Sequence, residues 1–127
     1  MTFQDRKELF EELSKIPNDE NIILEDGIYW LKQDYAITRM NEVYGEGNWA
    51  IEKIRKNELK NNKGELVANV CNLTVGYKDP ITGEWLTMDG GSATNGVLDN
   101  NIIGRAFLDA IRHLGNAFGR SLSWQFE

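Results

Sequence analysis

The sequence has little of the chemistry on which most metal sites, disulfides and nucleophilic enzymes depend. Its 127 residues include one cysteine (Cys71), one histidine (His113) and two prolines. One cysteine cannot form an internal disulfide, and one cysteine with one histidine cannot supply the usual metal-ligand sets or a Cys-His pair. We therefore expect no metal, no cofactor and no enzymatic activity.

Long hydrophobic runs are also missing. No stretch approaches the roughly 20 apolar residues needed to cross a bilayer, and residues 1–6 do not resemble a signal peptide. We therefore expect a protein that stays in the compartment where it is made. Hydrophobic residues make up 41% of the chain and charged residues 27%, which is typical of a folded globular protein. The length predicts a single domain over residues 1–127.

Positive charge is scarce, but it is unevenly distributed. The formal net charge is −6, from 14 basic and 20 acidic residues. Residues 1–46 hold 5 basic and 11 acidic side chains, whereas residues 47–63 hold 5 and 2. Because binding of an anion depends on the local field more than on the total charge, the basic segment can serve a polyanion despite the acidic remainder.

Two helices are predicted in the first third of the chain. Apolar residues between positions 3 and 16 recur on one side of a helix, with Thr2 as its N-cap and Pro17 as its stop. After a polar link through residues 25–27, a second helix is predicted over residues 32–44, and Gly45 ends it.

From Trp49 the apolar spacing changes to two, which is typical of strands. Turns at residues 61–64 and 79–83 predict a three-stranded antiparallel meander whose last strand covers residues 84–88. Cys71 falls in the central strand, where a buried small hydrophobe is favoured over a reactive thiol.

A glycine-rich stretch, residues 89–96, is predicted to be a flexible turn rather than a phosphate-binding loop. The longest helical pattern follows, starting near Asp99 or Asn100 and running to about Leu122. The expected fold is therefore α+β, with the meander packed against a long C-terminal helix and with the two N-terminal helices on the same side.

One group of candidate binding residues lies on the first strand of the meander and its turn. Residues 53–63 contain five basic side chains and one acidic side chain, and the first three basic residues are Lys53, Arg55 and Lys56. Such a ribbon can follow a phosphate backbone. A solvated hairpin, whose lysines merely prevent edge-to-edge aggregation, is the alternative.

A second group lies on the polar side of the last helix. Arg105 has Asp109 one turn further on and is expected to pair with it, whereas Arg112 and Arg120 have no carboxylate three or four residues further on. Their guanidinium groups are therefore expected to be available to phosphate oxygens. An ordinary exposed helix face is the alternative.

Two segments have a recognisable pattern. Residues 35–49 contain Asn-Glu, an aromatic residue, Gly and Trp, and residues 109–119 contain Arg, two further residues and Gly-Asn-Ala-apolar-Gly. The residues concerned are Asn41, Glu42, Tyr44, Gly45 and Trp49, and Arg112, Gly115, Asn116, Ala117, Phe118 and Gly119. With the strands between them, the segments make residues 29–119 resemble the Rad fifty-two superfamily of single-strand annealing proteins.

The resemblance implies a β-β-β-α core, assembly into rings or arcs, and single-stranded DNA held in a positively charged groove with its bases exposed. It implies a phage or bacterial recombinase in the cytoplasm of a bacterium or an infected cell. Expected partners are single-stranded DNA, further copies of the chain, and a single-strand-binding protein or an exonuclease. We therefore predict ATP-independent annealing of complementary strands in homologous recombination or DNA repair.

The resemblance also assigns roles to individual residues. Arg112 matches a basic residue that contacts the DNA backbone, and Lys78 matches a lysine of a second, outer DNA site. Tyr35 stands where the family often has arginine, and Leu108 and Asp109 stand where it has lysine and arginine. The predicted DNA-binding residues are Arg112, Lys78, Lys53, Arg55, Lys56, Arg105 and Tyr35.

The three missing cations leave two outcomes open. In the first, the basic residues of 53–63 and Arg105 compensate, and Tyr35 stacks on a base; in the second, DNA binding is weak and sensitive to salt. The net charge of −6 also supports an alternative function. The chain would then be an acidic interaction or regulatory protein, such as a DNA mimic, that keeps the annealing fold without binding DNA.

Overall fold

The computed structural model of the chain describes residues 1–25, 27–95, 101–120 and residue 122. Within these residues the chain forms three α-helices and five strands, separated by short turns. In chain order the elements are α1 (Arg6–Leu13), β1 (Ile22–Glu25), β2 (Ile28–Leu31), α2 (Gln33–Tyr44), β3 (Trp49–Lys60), β4 (Leu66–Lys78), β5 (Trp85–Asn95) and α3 (Ile102–Ile111). The fold is α+β, as expected.

The three-stranded antiparallel meander is confirmed, with β4 in the centre. Both turns lie where they were predicted. In the first, Asn61 accepts the N–H groups of Lys63 and Glu65, and Gly64 has a φ of 79°. In the second, the Asp79 carboxylate accepts backbone N–H groups and Gly83 has a φ of 76°. Glycine adopts such positive φ angles without the clash that a Cβ atom causes, so both turns form without backbone strain at these positions.

Strand β5 is longer than predicted. Residues 89–95, expected to be a flexible turn, pair with residues 68–74 of β4 and extend the sheet. The glycines in this stretch serve packing: a Cβ atom on Gly90 would lie 2.3 Å from the carbonyl oxygen of Ala106 and from the amide nitrogen of Ala110. Gly90 therefore lets α3 approach the backbone of β5 closely.

Helix α3 ends earlier than predicted. The α-helix stops at Ile111, and two short 3-10 turns follow, Arg112–Leu114 and Asn116–Phe118. Gly115, with a φ of 150°, and Gly119, with a φ of 93°, interrupt the helix that the apolar spacing had predicted to continue. The expected start of the helix, at Asp99 or Asn100, lies outside the described residues.

An unexpected element precedes α2. Residues 22–25 and 28–31, on the two sides of the expected polar link, pair as antiparallel strands, β1 with β2, over four positions. The sequence does contain the signal for it, because Asp26-Gly27 separates two apolar runs rich in isoleucine and aromatic residues. The hairpin is a separate two-stranded sheet, not part of the meander.

Helix α1 is shorter than expected and starts later, with Asp5 rather than Thr2 as the N-cap. Leu9 is buried, whereas Phe10 and Ile16 of the expected apolar side are exposed. Helix α2 agrees with its prediction to within one residue. The buried Glu12 carboxylate of α1 accepts a hydrogen bond from Arg39 of α2 at 2.6 Å, which joins the two helices.

The core lies between the helices and one face of the meander. Trp49 of β3 stacks on Phe107 of α3 with ring centroids 5.6 Å apart. Cys71 is fully buried in β4, as predicted, and burial raises the pKa of its thiol. Helix α3 makes most of its sheet contacts with β4 and β5, so β3 is the least covered strand.

Candidate nucleic-acid interface

The meander has one covered face and one open face. Side chains alternate along a strand and cross-strand partners share a face, so Cys71, Leu73 and Val75 of β4 define the side that the helices cover. The opposite side, here called the open face, is built by alternate residues of all three strands. Its central members are Lys53 and Arg55 of β3, Asn72, Thr74, Gly76 and Lys78 of β4, and Trp85, Thr87, Asp89 and Gly91 of β5.

Three of the predicted DNA-binding residues meet on the open face. Lys53 lies opposite Thr74, Arg55 opposite Asn72, and Lys78 opposite Trp85. All three cations are exposed, and none forms an ion pair with another residue in the part of the chain that the structure describes. Their charges therefore face solvent.

Two carboxylates share this surface. Glu52 accepts the indole N–H of Trp85 at 2.5 Å, and Asp89 accepts the hydroxyl of Thr74 at 2.6 Å. Three cations against two carboxylates leave the open face with a small positive excess. Both carboxylates are engaged by neutral donors of the same face, so neither neutralises a cation directly.

Lys56 lies apart from this group. It is paired with Cys71, which places it on the covered side of the sheet, at the edge strand that the helices leave exposed. Lys56 therefore does not share the open face with Lys53 and Arg55. The reason is the alternation of side chains along a strand, which separates Arg55 from its neighbour.

Arg105 has a different partner from the one predicted. Its guanidinium forms an ion pair with Glu25 at the end of β1, and the Arg105 side chain is only 14% exposed. Asp109, the expected partner, instead accepts the backbone N–H of Gly91 at 2.9 Å and so ties α3 to β5. Arg105 therefore holds the β1–β2 hairpin against α3.

The sequence predicts that the Arg112 guanidinium is available to phosphate oxygens, but in the structure it is engaged within the fold. Its guanidinium donates to the backbone carbonyl of Tyr29 at 2.8 Å and lies over the indole of Trp30, 4.3 Å from the ring centroid. Burial lowers the pKa of Arg112 from its usual value, although nearby Asp109 opposes the change. Arg120, also predicted to be free, donates to the carbonyl oxygen of His113.

Tyr35, predicted to stack on a base, lies in the first turn of α2 and is half-buried against the core. The cations and aromatic residue predicted for one groove are therefore divided. Arg105, Arg112 and Tyr35 belong to the helical side of the molecule, and Lys53, Arg55 and Lys78 to the open face.

Other classes of site receive no support from the described residues. They contain no group of three or more His, Cys, Asp and Glu side chains that could hold a metal ion. None of the helices among them has both the length and the apolar character needed to cross a membrane. A scan of the chain against models of known protein families gives no match, and a search of curated proteins also finds none.

Proposed function

We propose that the protein binds single-stranded DNA through the open face and anneals complementary strands as an oligomer in recombination or DNA repair. The observation that carries the proposal is the presence of three solvent-facing cations, Lys53, Arg55 and Lys78, on the same face of the sheet. The resemblance of residues 29–119 to single-strand annealing proteins is the reason for proposing annealing as the activity. In this proposal the protein works in the cytoplasm of a bacterium or a phage-infected cell.

The charge balance predicts binding of moderate strength and high sensitivity to salt. Each phosphate that is neutralised on a single strand contributes about 0.7 to the slope of log affinity against log salt. Three cations per chain therefore give a slope of roughly 2, multiplied in an oligomer by the number of subunits that engage one strand. The net charge of −6 works against long-range attraction, so the local field of the open face has to outweigh it.

Annealing needs no hydrolysis step, because base pairing and stacking in the product drive it. The protein has only to neutralise phosphates and to bring two strands together at high local concentration. Many weak sites along one strand multiply into useful affinity, which is the reason for assembly. Strand β3, an edge strand of the sheet that the described residues form, supports assembly, since its Ile51 and Ile54 are 39% and 47% exposed.

A second candidate is an acidic interaction or regulatory protein that has no DNA-binding activity. The observation in its favour is the engagement of Arg105 and Arg112 with the β1–β2 hairpin, which removes two cations from a DNA groove on the helical side. The predominance of acidic residues fits this candidate as well.

Binding of fluorescently labelled oligo-dT, followed by anisotropy, distinguishes the two candidates. The wild-type protein is compared with Arg55→Ala/Lys78→Ala and with a matched control, Lys7→Ala/Lys32→Ala, which removes two exposed lysines outside the open face. We expect the first variant to bind more weakly and to lose about 1.4 from the salt slope, and the control to bind like the wild type.

Failure of the wild-type protein to bind at about 50 mM salt, where electrostatic binding is strong, would favour the regulatory candidate. An equal loss of affinity in both variants would remove the open face from the proposal. Annealing of complementary oligonucleotides and light scattering test the remaining parts. We expect faster annealing with the protein than without it, and an assembly much larger than the 14.5 kDa chain.

A further inference from the structure

Trp85 occupies an unusual place on the open face. It is the first residue of β5, directly opposite Lys78, and it is 47% exposed although tryptophan is commonly well buried in folded domains. Its indole N–H donates to the Glu52 carboxylate at 2.5 Å. The ring is therefore held in one orientation while much of it faces solvent.

Two features of the sheet build this arrangement. A Cβ atom on Gly76 would lie 2.5 Å from the indole nitrogen and 2.7 Å from the adjacent ring carbon, so the indole lies directly over the Gly76 backbone. An irregularity in the pairing of β3 falls between Ile51 and Lys53, and the extra residue there is Glu52. The bulge thus supplies the carboxylate that anchors the ring, and the glycine supplies the space.

The neighbours of the indole match the chemistry of a nucleotide. Lys78 is its direct cross-strand partner, and Lys53 lies on the same face beside Thr74, the next open-face residue of β4 after Gly76. An aromatic ring with cations beside it can stack a base and bind the phosphates that flank the base. The ring is held before any ligand arrives, which reduces the entropy lost on binding.

We propose that Trp85 is a base-stacking platform for single-stranded nucleic acid, and this inference rests on the proposed function of the open face. A base stacks on the indole through its π-face, while Lys78 and Lys53 contact adjacent phosphates. A duplex hides the π-faces of its bases in its own stack, so the platform selects single strands. The Watson–Crick edge of the stacked base stays accessible, which is compatible with annealing.

The test compares two ligands with the same number of phosphates, oligo-dT and an oligomer of abasic deoxyribose phosphate. Binding of each to the wild type, Trp85→Ala and Trp85→Phe is measured by anisotropy. We expect Trp85→Ala to lose about 5- to 100-fold in affinity for oligo-dT and little for the abasic oligomer. Trp85→Phe, which keeps a ring, is expected to retain most of the affinity for oligo-dT.

Leu24→Ala is the control, since it removes a 60% exposed apolar side chain from β1, away from the open face. Thermal melts of all variants show whether they fold. Equal losses for both ligands with Trp85→Ala, unchanged oligo-dT binding, or a loss with Trp85→Phe as large as with Trp85→Ala would each overturn the platform. These results leave DNA binding by the open face intact, whereas a wild-type protein that binds neither ligand removes the proposed function itself.

Discussion

The two faces of the meander are made by the same three strands, yet they have different roles. In β4 the buried side chains of Cys71, Leu73 and Val75 alternate with Asn72 and Thr74 on the open face. The first set stabilises the fold by removing apolar surface from water. The second set contributes little to the core and is therefore free to contact a ligand.

The basic residues divide in the same way. Arg105 and Arg112 attach the β1–β2 hairpin to the helical side, through Glu25 and through the Tyr29 carbonyl with the Trp30 ring. Lys53 and Arg55 make no comparable contact with a described residue. A basic side chain is thus evidence for a binding site only when it makes no ion pair, hydrogen bond or cation–π contact within the fold.

Two adjacent glycines on β5 provide the most sensitive test of the difference between the covered face and the open face. The Cβ atom of Gly90→Ala would lie 2.3 Å from the backbone of α3, whereas that of Gly91→Ala would lie 2.8 Å from the side-chain end of Asn72 and at an ordinary 3.5 Å from the Cys71 carbonyl oxygen. We expect Gly90→Ala to lower the free energy of unfolding by about 3 kcal/mol, because the backbone of α3 cannot move away from β5 without a large loss of packing energy. Gly91→Ala is expected to cost less than about 1 kcal/mol. Urea denaturation followed by circular dichroism measures both, and similar losses would contradict the assignment of the faces.

Removal of Arg112 tests whether this residue serves the fold. Arg112→Ala loses a charged hydrogen bond to Tyr29 and a cation–π contact with Trp30, so we expect about 2 kcal/mol of destabilisation. Arg120→Ala is the control, with a loss under about 0.5 kcal/mol at an exposed position. If Arg112→Ala keeps its stability but binds single-stranded DNA poorly, the DNA site lies on the helical side, as the resemblance implies.

Arg55 and Lys56 are neighbours in sequence but lie on opposite faces of β3. We expect Arg55→Ala to reduce affinity for oligo-dT and to lower the salt slope by about 0.7, as loss of one phosphate contact does. Lys56→Ala removes the same charge and is expected to change neither. Equal effects, measured by anisotropy at several salt concentrations, would show that only the charge of the strand matters.

Acidification is expected to weaken the contact between α1 and α2. Hydrogen bonds from Lys15 and Arg39 lower the pKa of Glu12 below its ordinary 4.5, against the effect of burial. Because the folded pKa is the lower one, the stability that Glu12 contributes is complete above about pH 4.5 and is lost as the pH falls through the folded pKa.

Denaturation by urea between pH 7 and pH 3 measures this loss. Glu12→Gln is expected to be less stable at pH 7, since Arg39 loses one of its two anionic partners and keeps only Glu42, and to lose less on acidification. The same loss in wild type and variant would assign the acid sensitivity to other carboxylates.

Local sequence patterns predicted a large part of the fold. The change of apolar spacing at Trp49, the turns at residues 61–64 and 79–83, and helix α2 were all predicted correctly, because each depends on residues close together in the chain. The β1–β2 hairpin was not predicted, and the end of α3 was predicted about ten residues too late. The sequence does carry signals for both, Asp26-Gly27 for the hairpin and the glycines at 115 and 119 for the end of the helix, but the polar and apolar composition around them favours a link and a continuous helix.

The candidate site could be predicted only in part. The resemblance and the charge pattern singled out Lys53, Arg55 and Lys78, which share a face, but also Arg112, whose partner in β2 lies 83 residues earlier. Trp85 was not predicted, because the two facts that single it out are its direct pairing with Lys78 and the position of its ring over Gly76. Neither fact is visible until the strands are in register.

The sequence by itself determined the α+β class, the three strands, the single buried cysteine and a segment of concentrated positive charge, because periodicity and turn chemistry act over a few residues. Only the tertiary structure decided which cations face solvent and which ones hold the molecule together. Arg105 pairs with the carboxylate of Glu25, 80 residues away in the chain, and the indole of Trp85 donates to Glu52, 33 residues away. Such pairs form when packing brings distant strands and helices within hydrogen-bond distance, which no local pattern records.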